Sequence, residues 1–301
     1  MSEPDWAYVA RSLFKVLAVT AALFLVLSVA ERVLWLFVDF DDGRMAKVYG
    51  TAARLANPDK RLLDGYSNGG GLRDTTYTLW GEPRRAGPGG GGTEYTIVEN
   101  LFGAVRAPSL DGPSGSLADA IASVEEEADV DEVVTEKARK AIDGLPQTLD
   151  AVAVVEFADS MTTERLVAFN RRHKICGGAD VSYMYSLSYY DSSDPPSANA
   201  IVWNRDMVED DFSADITYQC ETEPAAALAE FRRWVGLLGE GDDLKEFGLH
   251  YEWLADHAEE GVVHGLVVDG WKLADLRKLL DDPEVRTVHL ADVAFDLGEV
   301  G

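Results

Sequence analysis

The run Val16 to Ala30, VLAVTAALFLVLSVA, carries no charge in a chain of 301 residues whose formal charge is -26. Nothing else in the sequence constrains the fold as much, because such a run must be withdrawn from water into a bilayer or a core. Arg11 and Lys15 precede it, and Asp39, Asp41 and Asp42 follow the apolar continuation Val33 to Val38. The positive-inside bias therefore predicts a short cytosolic N-terminus, a single pass, and a C-terminal body outside. The charge-free core is shorter than the roughly 20 residues of a spanning helix. Counted through Glu31 and Arg32 to Val38 it reaches 23 residues, enough if that charged pair sits at the interface, where long side chains snorkel. Ser28-Val29-Ala30 is also a small-x-small pattern of the kind a signal peptidase cuts. We read an uncleaved anchor, with a cleaved signal and a buried core helix as the alternatives.

The rest of the chain is too long for most single cores and predicts an α+β fold in parts. Residues 1–42 form the tail and transmembrane helix, and 43–107 a small β-rich region. Residues 108–147 are an acidic helical linker, and 148–301 a C-terminal α/β sensing or binding domain. In the β-rich region a helical stretch from Arg44 to Ala56 stops at Asn57-Pro58. TTYTLW (Thr75 to Trp80) and TEYTIVEN (Thr93 to Asn100) then alternate β-formers around a glycine-rich tip, Gly87 to Gly92. No GK[ST] follows that tip, so a phosphate loop is excluded. The stretch SLADAIASVEEEADVDEVVTEKARKAIDGL has apolar residues at helical spacing, and its acidic run Glu125 to Glu127 reads as a solvated face. In the last region DAVAVVEF is a strand, and a helix follows with Thr162 as N-cap and Met161 stapled on Leu166. A mixed sheet with helices on one side is the expected architecture.

The sequence has 53 acidic against 27 basic side chains. A surface of that sign repels nucleic acid and anionic head groups, and it keeps a protein soluble in high salt, as halophilic proteins are. No nucleic-acid partner and no cofactor are expected. The membrane, through the N-terminal helix, and an envelope or membrane protein are the expected partners.

Candidate functional residues are few. Cys176 and Cys220 are the only cysteines; export would let them pair across the sheet, and two buried free thiols are the alternative. There is no CxxC, HExxH or GxSxG, so redox, zinc-peptidase and serine-hydrolase templates fail. His250, His257 and His264 recur every seven residues, but Gly261 interrupts any shared helix face, and two turns of helix are too long for one metal. Tyr183 and Tyr185 share a strand face, with Tyr189 and Tyr190 nearby, and form a candidate binding surface. Packing in a half-buried sheet is the competing account. Trp234, Trp253 and Trp271 fit core positions on helices.

The apolar segment followed by LANPDKRLLDGYSNGG and LRDTTYTLWGEP resembles the N-terminal part of the sigma-factor-regulator family, the extracytoplasmic portions of membrane-anchored anti-sigma factors. VVEFADSMTTERLVAF and the closing HGLVVDGWKLADLRKLLDDPEVRTVHLADV are similar to that family's later elements. About half of the chain takes part in the resemblance, through order and pattern rather than a catalytic signature. It implies a sensing or binding module that regulates a sigma-factor-type stress response and does not act as an enzyme. Only fifteen residues precede the apolar core, so a cytosolic helical segment that would clamp a sigma factor is not expected, and the resemblance then implies the outer sensing half or a relative that lost direct regulation. A secreted or membrane-tethered hydrolase or metal-dependent enzyme, and a structural envelope protein, are the alternative functions.

Overall fold

The computed structural model of the chain describes residues 6–37, 42–68, 74–87, 91–100, 103–107, 115–124, 132–176, 180–188, 199–204, 207–208, 223–239 and 241–295. It divides into two units, one being the N-terminal helix and the other the body from Asp42 onward.

Helix α1 (Trp6–Phe37) runs unbroken through 32 residues. Within it Ala10–Val29 is long and apolar enough to cross a membrane, with mean hydropathy 2.3 and none of it buried inside the protein. That exposure excludes a core helix; length and composition serve an anchor and a signal sequence equally. Within the apolar run the Thr20 hydroxyl has a partner. Thr20 Oγ1 donates to the Val16 carbonyl at 2.8 Å, which closes the group within its own helix, as a bilayer requires.

The body opens with a helical run: α2 (Asp42–Arg44), a π-helical segment Met45–Gly50, and α3 (Thr51–Ala56). A π segment leaves backbone carbonyls out of line, and the Trp234 indole N–H donates to the carbonyl of Lys47 at 2.9 Å. The run stops at Asn57, as Asn57-Pro58 implies. Four antiparallel strands follow in spatial order β1 (Lys60–Asn68), β2 (Asp74–Pro83), β3 (Thr93–Asn100) and β4 (Val105–Arg106). Two helices, α4 (Ser116–Ala122) and α5 (Glu132–Asp143), lead to the second sheet.

That sheet has the order β7 (Val202–Trp203), β6 (Val181–Met184), β8 (Val263–Lys272), β5 (Asp150–Met161) and β9 (Val285–Ala294). Every pairing in it is antiparallel, so the expected mixed sheet is corrected. The helices are α6 (Thr163–His173), α7 (Glu223–Val235), α8 (Tyr251–Glu260) and α9 (Leu273–Leu279). These four lie on one face, but α4 covers the other, so the expectation of helices on one side only is corrected. On β5, Ala151, Ala153, Val155 and Phe157 point into a core shared with Phe169 of α6, Phe231 of α7, Leu254 of α8 and Leu276 of α9. Val152 and Val154 point the other way and pack with Leu117, Ala120 and Ile121 of α4. Within the stretch taken as a linker, the described helices are thus packed parts of the body: α4 covers the second sheet face, and Ile142 of α5 enters the core on the first.

The two sheets join through charge as well as apolar contact. Buried Arg84, just past β2, lies 3.8 Å from Asp269 of β8 and donates to Ser182 Oγ of β6 at 3.3 Å. Burial lowers the Arg84 pKa, which the neighbouring Asp269 only partly offsets. Asn204 donates to the same Ser182 hydroxyl at 3.2 Å.

Cys176 is exposed in the connection between α6 and β6, off the sheet, and is disulfide-bonded. Cys220, the other cysteine of the sequence, lies outside the described residues. If these two form the bond, non-reducing mass analysis finds two hydrogens missing. Replacing both by Ser then lowers unfolding stability by roughly 2 to 4 kcal/mol, through the freed loop of the denatured chain; intact-mass measurement and urea titration check both.

Candidate functional site

Tyr183 and Tyr185 share a face, as their alternation implies, but that face is inside. They are 0% and 1% exposed. The candidate surface at these two residues is therefore corrected: both faces of the sheet are covered, and no strand of it is half-buried at this point. The Tyr183 hydroxyl donates to the carboxylate of Glu223 at the start of α7 and accepts from Asn170 Nδ2 at 3.2 Å. Burial, reinforced by the Glu223 charge, raises the Tyr183 pKa. Tyr185 stacks on Phe231 at 5.3 Å between centroids. Tyr189 and Tyr190 lie outside the described residues.

The three spaced histidines do not converge. His250 stands at the N-cap position of α8 without a side-chain cap bond, His257 sits in its last turn edge-on to Trp253 at 5.3 Å, and His264 belongs to β8 beyond the break at Gly261. Among the described residues no group of three or more His, Cys, Asp or Glu is placed to hold a metal ion. Trp234 is buried, and Trp253 and Trp271 pack part-buried against the same core.

Exposed aromatic area lies elsewhere, on the first sheet. Side chains alternate along a strand, so Tyr77, Leu79, Tyr95 and Ile97 fill the inner face. The outer face presents Leu63, Tyr66 and Trp80 at 42%, 55% and 41% exposure. Leu63 and Trp80 are direct cross-strand partners, and Tyr66 faces Thr78 one step along. Thr78 Oγ1 meets Thr96 Oγ1 at 3.1 Å, and the Trp80 indole donates to Glu82 Oε1 at 3.3 Å. Gly92 lies against the Trp80 ring so closely that a Cβ there would fall 2.0 Å from the indole nitrogen. The indole is thus held from two sides while its open face remains in solvent. Sequence reading named Trp80 only as a strand residue; the Leu63–Trp80 pairing could not be seen because β1 was not recognised.

Two charged networks tie element ends together. His173 Nε2 and Arg172 Nη2 reach Asp282 Oδ2 at 2.6 and 2.9 Å, and Arg165 reaches Glu284 at 3.2 Å. Arg172 also pairs with Glu284. Arg172 draws the Glu284 pKa down against the effect of burial. For Asp282 burial pulls upward, but the Glu284 amide, His173 and Arg172 together bring it below the ordinary carboxylate range. The second network joins Glu156, Arg286, His289 and Ser123. Glu156 is 2% exposed and pairs with Arg286 and, at 2.7 Å, with His289 Nε2; His289 Nδ1 lies 3.2 Å from Ser123 Oγ. Neither His289 nor Ser123 was singled out in the sequence, because residues from three distant segments meet only across the β5–β9 ladder and the end of α4.

Comparison of the chain with protein-family models, curated proteins and solved structures finds no match.

Carboxylates whose folded pKa is depressed stabilise the fold above their unfolded pKa, and that contribution disappears as pH falls through the folded value. Acidification below about pH 4 should therefore destabilise the body through Asp282 and Glu284. Asp282→Asn should lower the melting temperature at neutral pH and flatten its decline on the acid side, read from melts at a series of pH values.

Proposed function

We propose that this protein is a membrane-anchored extracytoplasmic binding or sensing module, with its N-terminus in the cytosol and its body outside. The observation that carries the binding reading is the outer face of the first sheet. Leu63, Tyr66 and Trp80 stand together in solvent there, whereas the sheet bearing the sequence-nominated tyrosines is covered on both sides. Large rigid aromatic side chains bury much area on contact and lose little rotamer freedom, which is why they anchor protein interfaces. The anchor reading rests on Ala10–Val29, with Arg11 and Lys15 at its N-terminal end. An envelope or membrane protein is the partner this arrangement suits. Regulation of a sigma-factor-type stress response is the process implied by the resemblance of LANPDKRLLDGYSNGG and the closing strand–helix–strand.

Two measurements test the proposal. A reporter fused after Gly301 that is active only outside the cytosol should be active, and the protein should stay in the membrane fraction with Met1 or Ser2 as its first residue. An inactive fusion, with a reporter that works only in the cytosol active in its place, would retire the topology. Replacing Tyr66 and Trp80 together by Asp should leave stability within about 1 kcal/mol, since exposed substitutions usually cost no more than about 0.5 kcal/mol each. The same pair should abolish the envelope-stress phenotype of the wild-type gene in a deletion strain. A fully complementing double variant would sink the binding face.

A further inference from the structure

The Ser123–His289–Glu156 chain has the ordering of an acyl-transfer relay, a constellation recognised by geometry and roles rather than by sequence position. Glu156 is buried in β5, the His289 side chain is 23% exposed on β9, and Ser123 is exposed just beyond α4. Accessibility thus rises from the carboxylate to the hydroxyl, the direction from which a substrate would approach. A carboxylate only accepts, so its 2.7 Å contact with His289 Nε2 calls for the proton on Nε2, and in the neutral ring that is the tautomer it selects. That assignment leaves the Nδ1 lone pair facing Ser123 Oγ at 3.2 Å. The hydroxyl proton has two acceptors within reach, the Ala120 carbonyl at 2.7 Å and His289 Nδ1. A rotation about the Ser123 side chain is all that separates a helix-end hydrogen bond from a nucleophile beside its base.

The geometry points to a serine-based esterase activity at Ser123, with His289 as general base and Glu156 as the residue that positions it. Ser123 Oγ attacks the ester carbonyl carbon while its proton passes to His289 Nδ1. The tetrahedral adduct collapses with cleavage of the ester C–O bond, and the departing alcohol takes that proton. Water then attacks the acyl-serine, its proton passing to His289, and the acid leaves as the serine is restored. No electron is exchanged. Arg286 shares the Glu156 carboxylate and so weakens its pull on the imidazole. The substrate class is therefore esters with good leaving groups rather than amides, and a molecule of charge -26 disfavours anionic ones.

The test uses the full chain in detergent micelles and an alkyl fluorophosphonate. Wild-type protein should take up a single phosphonyl group, mapped to Ser123 by peptide mass analysis, and should hydrolyse 4-nitrophenyl acetate. Ser123→Ala, a change at an exposed site, should keep the melting temperature and lose both. His289→Ala should slow labelling by about 10²-fold or more, as loss of a general base does, and added imidazole should recover part of the rate. Glu156→Gln should lower kcat with little change in KM, and Glu156→Asp should restore much of the loss. A folded wild-type protein that takes no label, a label that persists in Ser123→Ala, or a His289→Ala defect that imidazole leaves untouched would each overturn the proposal.

Discussion

Strand β5 is buried on both faces, and every other element of the body is placed by what that demands. From Ala151 to Val155 its residues are 0% exposed. Hydrogen bonds to β8 on one side and β9 on the other satisfy its backbone. A strand so enclosed needs an apolar cover above and below. The helices α6 to α9 supply one and α4, with Ala86 just past β2, supplies the other. Small residues at 151 and 153 let the cover approach, and Gly265 lets β8 approach: a Cβ there would fall 2.5 Å from the Val155 carbonyl oxygen. The depth of this packing also explains why the tyrosines of β6 are interior.

Burying β5 drags one charge inward. Glu156 continues the alternation that puts Val152 and Val154 against α4, so its carboxylate enters the joint between strand and helix. Removing one partner of a buried ion pair typically costs about 3 to 5 kcal/mol, because the other charge is left stranded. Arg286 and His289, both from β9, meet that need and at the same time specify the β5–β9 register, since a one-residue slip would turn them to the opposite face. The same use of arginine recurs across the body. Arg84 with Asp269, Arg172 with Asp282, and Arg277 with Asp143 all join elements far apart in sequence. Several of the scarce basic side chains are thus committed to bridging elements of the fold, Arg84 inside it and Arg172 and Arg277 at its surface, and the excess acid remains exposed, where salt screens its mutual repulsion.

What could be read in advance follows from how local each signal is. The β5 run, the Thr162 cap, whose Oγ1 accepts from the Arg165 amide at 3.5 Å, and the Met161–Leu166 staple partners, both buried, depend on neighbours a few residues away. Strands β2 and β3 likewise announced themselves by alternation. Strand β1 did not, because Asp64-Gly65 interrupts its pattern where the ladder itself shifts register between Leu63 and Tyr66. The antiparallel order of the second sheet and the placement of α4 on its far face are long-range facts that periodicity does not carry. The site residues failed for the same reason: alternation put Tyr183 and Tyr185 on one face but said nothing of what covers it.

The two sheets therefore divide the work by their exposure. One face of the first sheet is consumed by the core that holds Tyr77 and Ile97, which leaves Leu63, Tyr66 and Trp80 on the other with a rigid backing. The second sheet has no face left, so anything chemical in it must sit at a rim, where an edge strand and a helix end meet. Ser123 and His289 occupy such a rim. The proposed recognition on an open sheet and the proposed reactivity at a sheet border draw on different residues, and a substitution in one leaves the other's supporting contacts in place.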